Sequence, residues 1–146
     1  MKIYLEHSKG FFGRLVSFFT KDKVNHCFLG FDTLFIEARL TGVKLFDIKE
    51  FRKRKIKRVY EYSKAVDKIA LLTSVLYLKN KNYDIWLSVS HLFKKFFNKA
   101  DRYNCVEVVR YVLNFCDILN YIQDTDKPAD LEKMKYLRNW KEEETL

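Results

Sequence analysis

The chain has 146 residues, 48% of them hydrophobic and 16% aromatic, with only 4 glycines and 1 proline. That length and apolar content predict one domain, 1–146, with a substantial core, and exclude a disordered or low-complexity chain. The 28 basic and 19 acidic residues leave a net charge of +9, which favours an anionic neighbour but decides no function, because lysine excess also follows from an AT-rich genome.

Met1–Glu6 offers a short strand or an extended lead-in. Over Gly10–Thr20 the apolar residues Phe11, Phe12, Leu15, Phe18 and Phe19 have helical spacing. Segments 23–31 and 33–39 read as two strands around a turn near Phe31-Asp32-Thr33. Another short strand follows at Thr41–Phe46, and a further one at Ile56–Tyr62, rich in β-branched and aromatic residues. From Ser63 the pattern turns helical, with Ser63 as a possible N-cap and Ala65, Ile69, Leu72 and Leu76 marking one face. Lys79-Asn80-Lys81-Asn82 breaks that helix, and Asp84–Lys99 reads as partly helical. Cys105–Asn120 is the strongest helix, with Val109, Val112, Cys116 and Leu119 following Cys105 near one face. Pro128 suits the first position of a last helix over Ala129–Trp140, and Glu142-Glu143-Glu144 reads as a frayed tail. Strands first and helices second predict an α+β fold, an antiparallel sheet packed against helices on one face.

Chemistry concentrates in two places. A thiol at a helix N-terminus feels the positive end of the backbone dipole, so Cys105 is a candidate nucleophile. His26, on the first hairpin strand, is a candidate base. If the turn has an even number of residues, His26, Phe28, Glu37 and Arg39 share a face, with His26 opposite or diagonal to Glu37. A carboxylate there would fix the tautomer of the imidazole. Taken singly, each residue has a plainer reading: a cysteine packed at a helix start, a surface or core histidine, a glutamate paired with Arg39 or a lysine. Cys27 and Cys116 read as core, while His7 and His91 carry no motif.

The run Arg52, Lys53, Arg54, Lys55, Ile56, Lys57, Arg58 is the sharpest charge feature. It suits weak contact with phosphates or another anionic surface, or, more plainly, a solvated loop and strand edge. Trp86–Phe97 mixes aromatics with lysine and suits a core helix, a membrane surface or a lipid-like groove. No glycine-rich phosphate loop, zinc spacing or other motif calls for a cofactor or metal. The 3 cysteines fit no disulfide framework and suit free thiols in a reducing compartment. Glu6, His7 and Lys9 interrupt any signal-peptide core and no run approaches a membrane span, so a cytoplasmic location is expected.

Several ordered motifs share a likeness. Asn25-His26-Cys27-Phe28-Leu29-Gly30, Phe35-Ile36-Glu37-Ala38, Thr41-Gly42-Val43, Asn82-Tyr83-Asp84, Tyr103-Asn104-Cys105-Val106-Glu107-Val108-Val109 and Lys127-Pro128-Ala129-Asp130-Leu131 follow one another in that order. Together, over about residues 10–137, they resemble the circularly permuted papain-like hydrolases, the permuted NlpC/P60 enzymes with their YiiX-like group. The resemblance implies Cys105 as nucleophile, His26 as base and Glu37 as the polar third member. Val106 and Asn25 stand where serine is common in that family, which leaves substrate specificity open. The expected function is a cysteine hydrolase acting on a peptide-like or acylated substrate: an amide, a peptidoglycan-type bond, an ester or a thioester. The alternatives are a non-enzymatic basic module binding nucleic acid or an acidic or membrane surface, and membrane-proximal acyl chemistry guided by 86–97.

Overall fold

The computed structural model describes residues 1–9, 14, 17–18, 23–83, 102–118 and 127–143. Arg14, Ser17 and Phe18 are helical. The rest of the helix expected over Gly10–Thr20, and all of that expected over Asp84–Lys99, including His91, lie outside the described residues. Among these residues no helix is long and apolar enough to cross a membrane.

Six antiparallel strands form one sheet: β1 (Lys2–Glu6), β2 (His26–Phe31), β3 (Leu34–Arg39), β4 (Gly42–Asp47), β5 (Ile56–Tyr62) and β8 (Trp140–Glu143), in the order β4-β3-β2-β1-β5-β8. A two-stranded parallel ladder, β6 (Asn82–Tyr83) with β7 (Arg102–Tyr103), stands apart. The helices are α1 (Ile48–Phe51), α2 (Lys68–Leu78) and α3 (Cys105–Phe115), with a 3₁₀ helix over Pro128–Tyr136. This is the expected α+β class.

Alternation along the strands sorts side chains onto two faces. Ile3, Leu5, Cys27, Leu29, Ile36 and Ala38 face α2, α3 and the 3₁₀ helix, and form the main core. Tyr4, Phe28, Phe35 and Phe46 point the other way; Phe35 stacks on Phe51 of α1, which Tyr4 and Phe28 meet edge-on, and Phe46 stacks on Phe35. The helices therefore do not keep to one face, because α1, with Asp47 capping the N–H groups of Lys49 and Glu50, closes over the aromatic side. Gly30 is needed there: a Cβ would meet the rings of Phe35 and Tyr4 at 2.7 Å. Gly42 is needed for its backbone, at φ +106° with the Lys81 carbonyl close by.

Several expectations need correction. Asp67, not Ser63, caps α2, and Ala65 precedes the helix. The stripe Ile69, Leu72, Leu76 is exposed, while Leu71, Ser74, Val75 and Leu78 are buried. A helix apolar all round gives periodicity no face to choose. The last helix ends at Tyr136, and Trp140 begins a strand. Two residues of the expected frayed tail, Glu142 and Glu143, instead pair with Tyr60 and Val59 on β5, and Glu144 lies outside the described residues. Trp140 is buried against Tyr62, and Lys2–Glu143 and Arg58–Glu142 ion pairs at 2.5 Å lie across the strands. Consequently β5 is no sheet edge. Cys116 caps the end of α3 and is half-buried rather than inside the helical face.

The reversed face of α2 gives a direct check. Leu78→Ala should destabilise the fold by about 2–5 kcal/mol in urea titrations. Leu76→Ala, on the exposed face, should cost about 0.5 kcal/mol or less. The opposite ranking would contradict the packing described.

Candidate active site

The hairpin fixes the first pair of residues. Phe31 pairs with Leu34, so the turn holds two residues, Asp32 and Thr33, and Asp32 takes φ +52°, which aspartate tolerates better than most residues. The even turn puts His26 and Glu37 on one face, diagonal to each other. His26 Nε2 lies 2.8 Å from Glu37 Oε2.

The sheet opens around this pair. Pairing between β2 and β3 ends at Leu29–Ile36. Beyond it His26–Phe28 pairs only with β1, and Glu37–Arg39 only with β4. The N-terminus of α3 packs at this opening. Asn104 caps it: its Oδ1 accepts from Glu107 N and the Glu107 carboxylate accepts from Asn104 N, both at 2.8 Å. This capping box makes Cys105 the first helical residue, where the dipole favours an anionic sulfur.

Cys105 interacts with two consecutive residues of β2. The Cys27 thiol donates toward it, burial opposes ionisation, and hydrogen bonding and charge from His26 favour the thiolate, so its pKa falls well below 9.0. Cys27, fully buried beside that sulfur, is pushed the other way and stays a thiol. Burial by itself would lower the proton affinity of His26, but its bonds to Cys105 and Glu37 prevail and raise its pKa to about 10. Glu37 holds Nε2, which leaves Nδ1 for the sulfur. These shifts all run in the direction that favours a thiolate beside an imidazolium, with the Glu37 carboxylate behind the ring.

Glu37 is itself fully buried, and cations surround it. Arg54 Nη2 donates to its Oε1 at 2.6 Å, and Arg39 Nε donates to the same oxygen. Burial pushes this carboxyl up, but His26 and Arg54 bring its pKa down to about 2. Arg54 also donates to Glu6 Oε2 at 2.8 Å and lies over the rings of Phe46 and Phe28, 4.7 and 5.5 Å from their centroids. It is thus no part of a solvated run. Arg58 is likewise paired, with Glu132 and Glu142. Arg52, Lys53, Lys55 and Lys57 remain exposed. The sequence signalled Arg54 only as charge, although two carboxylates at inward strand positions, Glu6 and Glu37, call for a buried cation.

Asn25 is buried and works as a clamp. Its Oδ1 accepts from Ser8 N at 2.7 Å, and its Nδ2 donates to Ser8 O and Ser17 Oγ. His7 Nδ1 lies 2.8 Å from the Lys23 carbonyl, away from His26 and Glu37. Two open clefts, about 490 Å³ beside Tyr62 and Trp140 and about 390 Å³ beside Tyr103 and Tyr111, are lined by neither Cys105 nor His26.

No family model and no curated protein matches the chain. Among solved structures it is similar to the crystal structure of the metalloprotein YiiX from Escherichia coli O157:H7. The two align with a TM-score of 0.55 and 16% identity, over 92% of this chain and 79% of that one. The chain has a YiiX-like fold. At that identity the likeness concerns architecture alone, and within the YiiX-like fold the chemistry must be argued from the side chains above.

The charge state of Glu37 sets an acid limit on stability. Its folded pKa lies below the model-peptide value, so its contribution is complete above pH 4.5 and is lost as pH falls through about 2. Glu37→Gln should destabilise the protein at neutral pH by about 3 kcal/mol, with the two stability curves converging toward pH 2. Parallel curves across that range would contradict the assignment.

Proposed function

We propose that the chain is a cysteine hydrolase of permuted papain-like, NlpC/P60 architecture, with Cys105 as nucleophile, His26 as acid–base and Glu37 as orienter. The observation that carries this reading is one imidazole, held by Glu37 at 2.8 Å on Nε2, whose proton affinity is raised by Cys105 as well as by Glu37. The order of the sequence motifs and the YiiX-like fold agree with it.

The chemistry follows from the charges. The Cys105 thiolate attacks a carbonyl carbon, and the carbonyl electron pair moves onto oxygen. At a helix N-terminus, the Cys105 backbone N–H is the donor nearest the developing oxyanion. His26 gives its proton to the leaving amine, alkoxide or thiolate as the carbon–heteroatom bond breaks, which leaves an acyl-enzyme. Neutral His26 then takes a proton from water, hydroxide attacks the thioester, and the thiolate returns as the acid leaves. Glu37 holds the ring throughout and stabilises the imidazolium.

The YiiX neighbour is described as a metalloprotein. Here the donor set does not suit a metal ion. Glu37 already accepts from His26, Arg54 and Arg39, and among the described residues no three His, Cys, Asp or Glu side chains gather as a ligand set. No step is assigned to a metal.

Turnover should be sought with amide, peptidoglycan-type, ester and thioester reporters, together with an electrophilic probe mapped by mass spectrometry. Cys105→Ala should abolish both turnover and labelling while the fold is retained. His26→Ala should lower turnover by about 10²–10⁴-fold, and Cys116→Ala should leave it unchanged. Labelling spread evenly over Cys27, Cys105 and Cys116 would defeat the proposal.

A second reading, binding to an anionic surface, draws on a different observation. Lys55, through a side-chain contact and its charge, lowers the pKa of Lys9, and Arg14 and Lys57 add to the effect. Such crowding of positive charge attracts phosphates. Binding to anionic vesicles or to nucleic acid should weaken with added salt and fall further in a Lys53→Glu/Lys55→Glu variant. Salt-insensitive binding would rule this reading out.

A further inference from the structure

We propose that Arg54 is a positioning residue for the candidate reaction, fixing Glu37 beneath His26 and limiting how strongly that carboxylate holds the imidazolium proton. The inference rests on the cysteine-hydrolase reading and assigns Arg54 a role that its place in the basic run did not suggest.

Geometry carries the argument. Arg54 is only 13% exposed, against 38% for Arg39, the other arginine on Glu37. Its two terminal nitrogens are divided: Nη1 donates to Glu6 at 2.8 Å and Nη2 to Glu37 at 2.6 Å, with Glu50 at 3.3 Å. The planar guanidinium thus ties β1 to β3 across β2, the strand that bears His26. The register shift between Leu5 and Glu6 in the β1–β5 ladder marks the bulge from which Glu6 makes this contact. Phe28 and Phe46 hold the guanidinium by its face. A lysine offers one point charge and no such fork.

The placement has an electrostatic consequence. The charged and titratable groups around the pair are Glu6 on β1, His26 and Cys27 on β2, Arg39 on β3, Glu50 on α1, Arg54 on the following loop and Cys105 on α3. Arg54 neutralises part of the Glu37 charge, so the carboxylate holds the His26 proton less tightly. The same positive charge favours the Cys105 thiolate. Without Arg54, both the thiolate and the imidazolium should titrate at higher pH.

The test is the pH profile of Cys105 alkylation by iodoacetamide, with His26 followed by NMR, in the wild type, Arg54→Gln, Arg54→Lys and Arg39→Gln. In Arg54→Gln both limbs should move up by about one unit and the maximal rate should fall. Arg54→Lys should restore the limbs but not the rate. Arg39→Gln, at a more exposed site, should move the limbs less. A lower rate with unmoved limbs in Arg54→Gln would mean structural support alone and would overturn the inference. If Arg54→Gln does not fold, Arg54→Lys decides: both limbs and rate equal to wild type would overturn it. A wild-type Cys105 no more reactive than Cys116 would instead sink the hydrolase reading, so the two failures are separable.

Discussion

Burying a carboxylate without compensation is costly, and the architecture around Glu37 exists to avoid that cost. Its side chain is wholly inside, yet it faces His26, Arg54 and Arg39. Each partner comes from a different stretch: the start of β2, the loop before β5, and the end of β3 itself. The contact therefore needs the hairpin register, the break in β2–β3 pairing and the turn after α1 together. A one-residue slip in the hairpin would turn Glu37 into the aliphatic core, where no cation waits. The aromatic face owes its form to the same constraint, since Phe28 and Phe46, themselves in edge contact, both lie against the arginine that balances the carboxylate.

Much of this was legible in the sequence where short-range rules governed. A two-residue turn sets which hairpin residues share a face; the sequence left that turn length open, and the Phe31–Leu34 pairing decides for the His26–Glu37 diagonal. The apolar stripe that begins at Cys105 put it at a helix start, and the Asn104–Glu107 capping box that fixes the position was a short-range signal left unread. Legibility failed where partners were remote. Arg54 looks like its neighbours in the basic run, and only the inward carboxylates of β1 and β3 distinguish it. The face of α2 was hidden because the helix is apolar on all sides. The last strand was hidden because Lys141, Glu142 and Glu143 read as a solvated tail. Their role depends on β5 offering a free edge and on Arg58 and Lys2 standing across from them.

Asn25 differs from the serine common in the enzymes that the sequence motifs resemble, and the structure shows what its amide does. It stands where serine is common, and its amide both accepts from and donates to the segment at Ser8, besides bonding Ser17. A hydroxyl makes fewer bonds than an amide and is shorter. The substitution thus joins the end of β1 to the start of β2 immediately before the histidine. It restricts the backbone from which the imidazole of His26 projects.

The sulfur poses a topological problem that the sheet solves. His26 and Cys27 are consecutive on a strand, so their side chains leave opposite faces, yet both interact with Cys105. An intact sheet would separate them by its own backbone. Here β2 has parted from β3 at these residues, and α3 brings its N-terminus to the gap. One residue then supplies a proton donor and acceptor from the aromatic side, and the next supplies a buried thiol donor from the core side. The two act in the same direction on the thiolate. They differ in how they are held: burial keeps Cys27 a thiol, whereas the proton on His26 is held by Glu37 against the burial that opposes it.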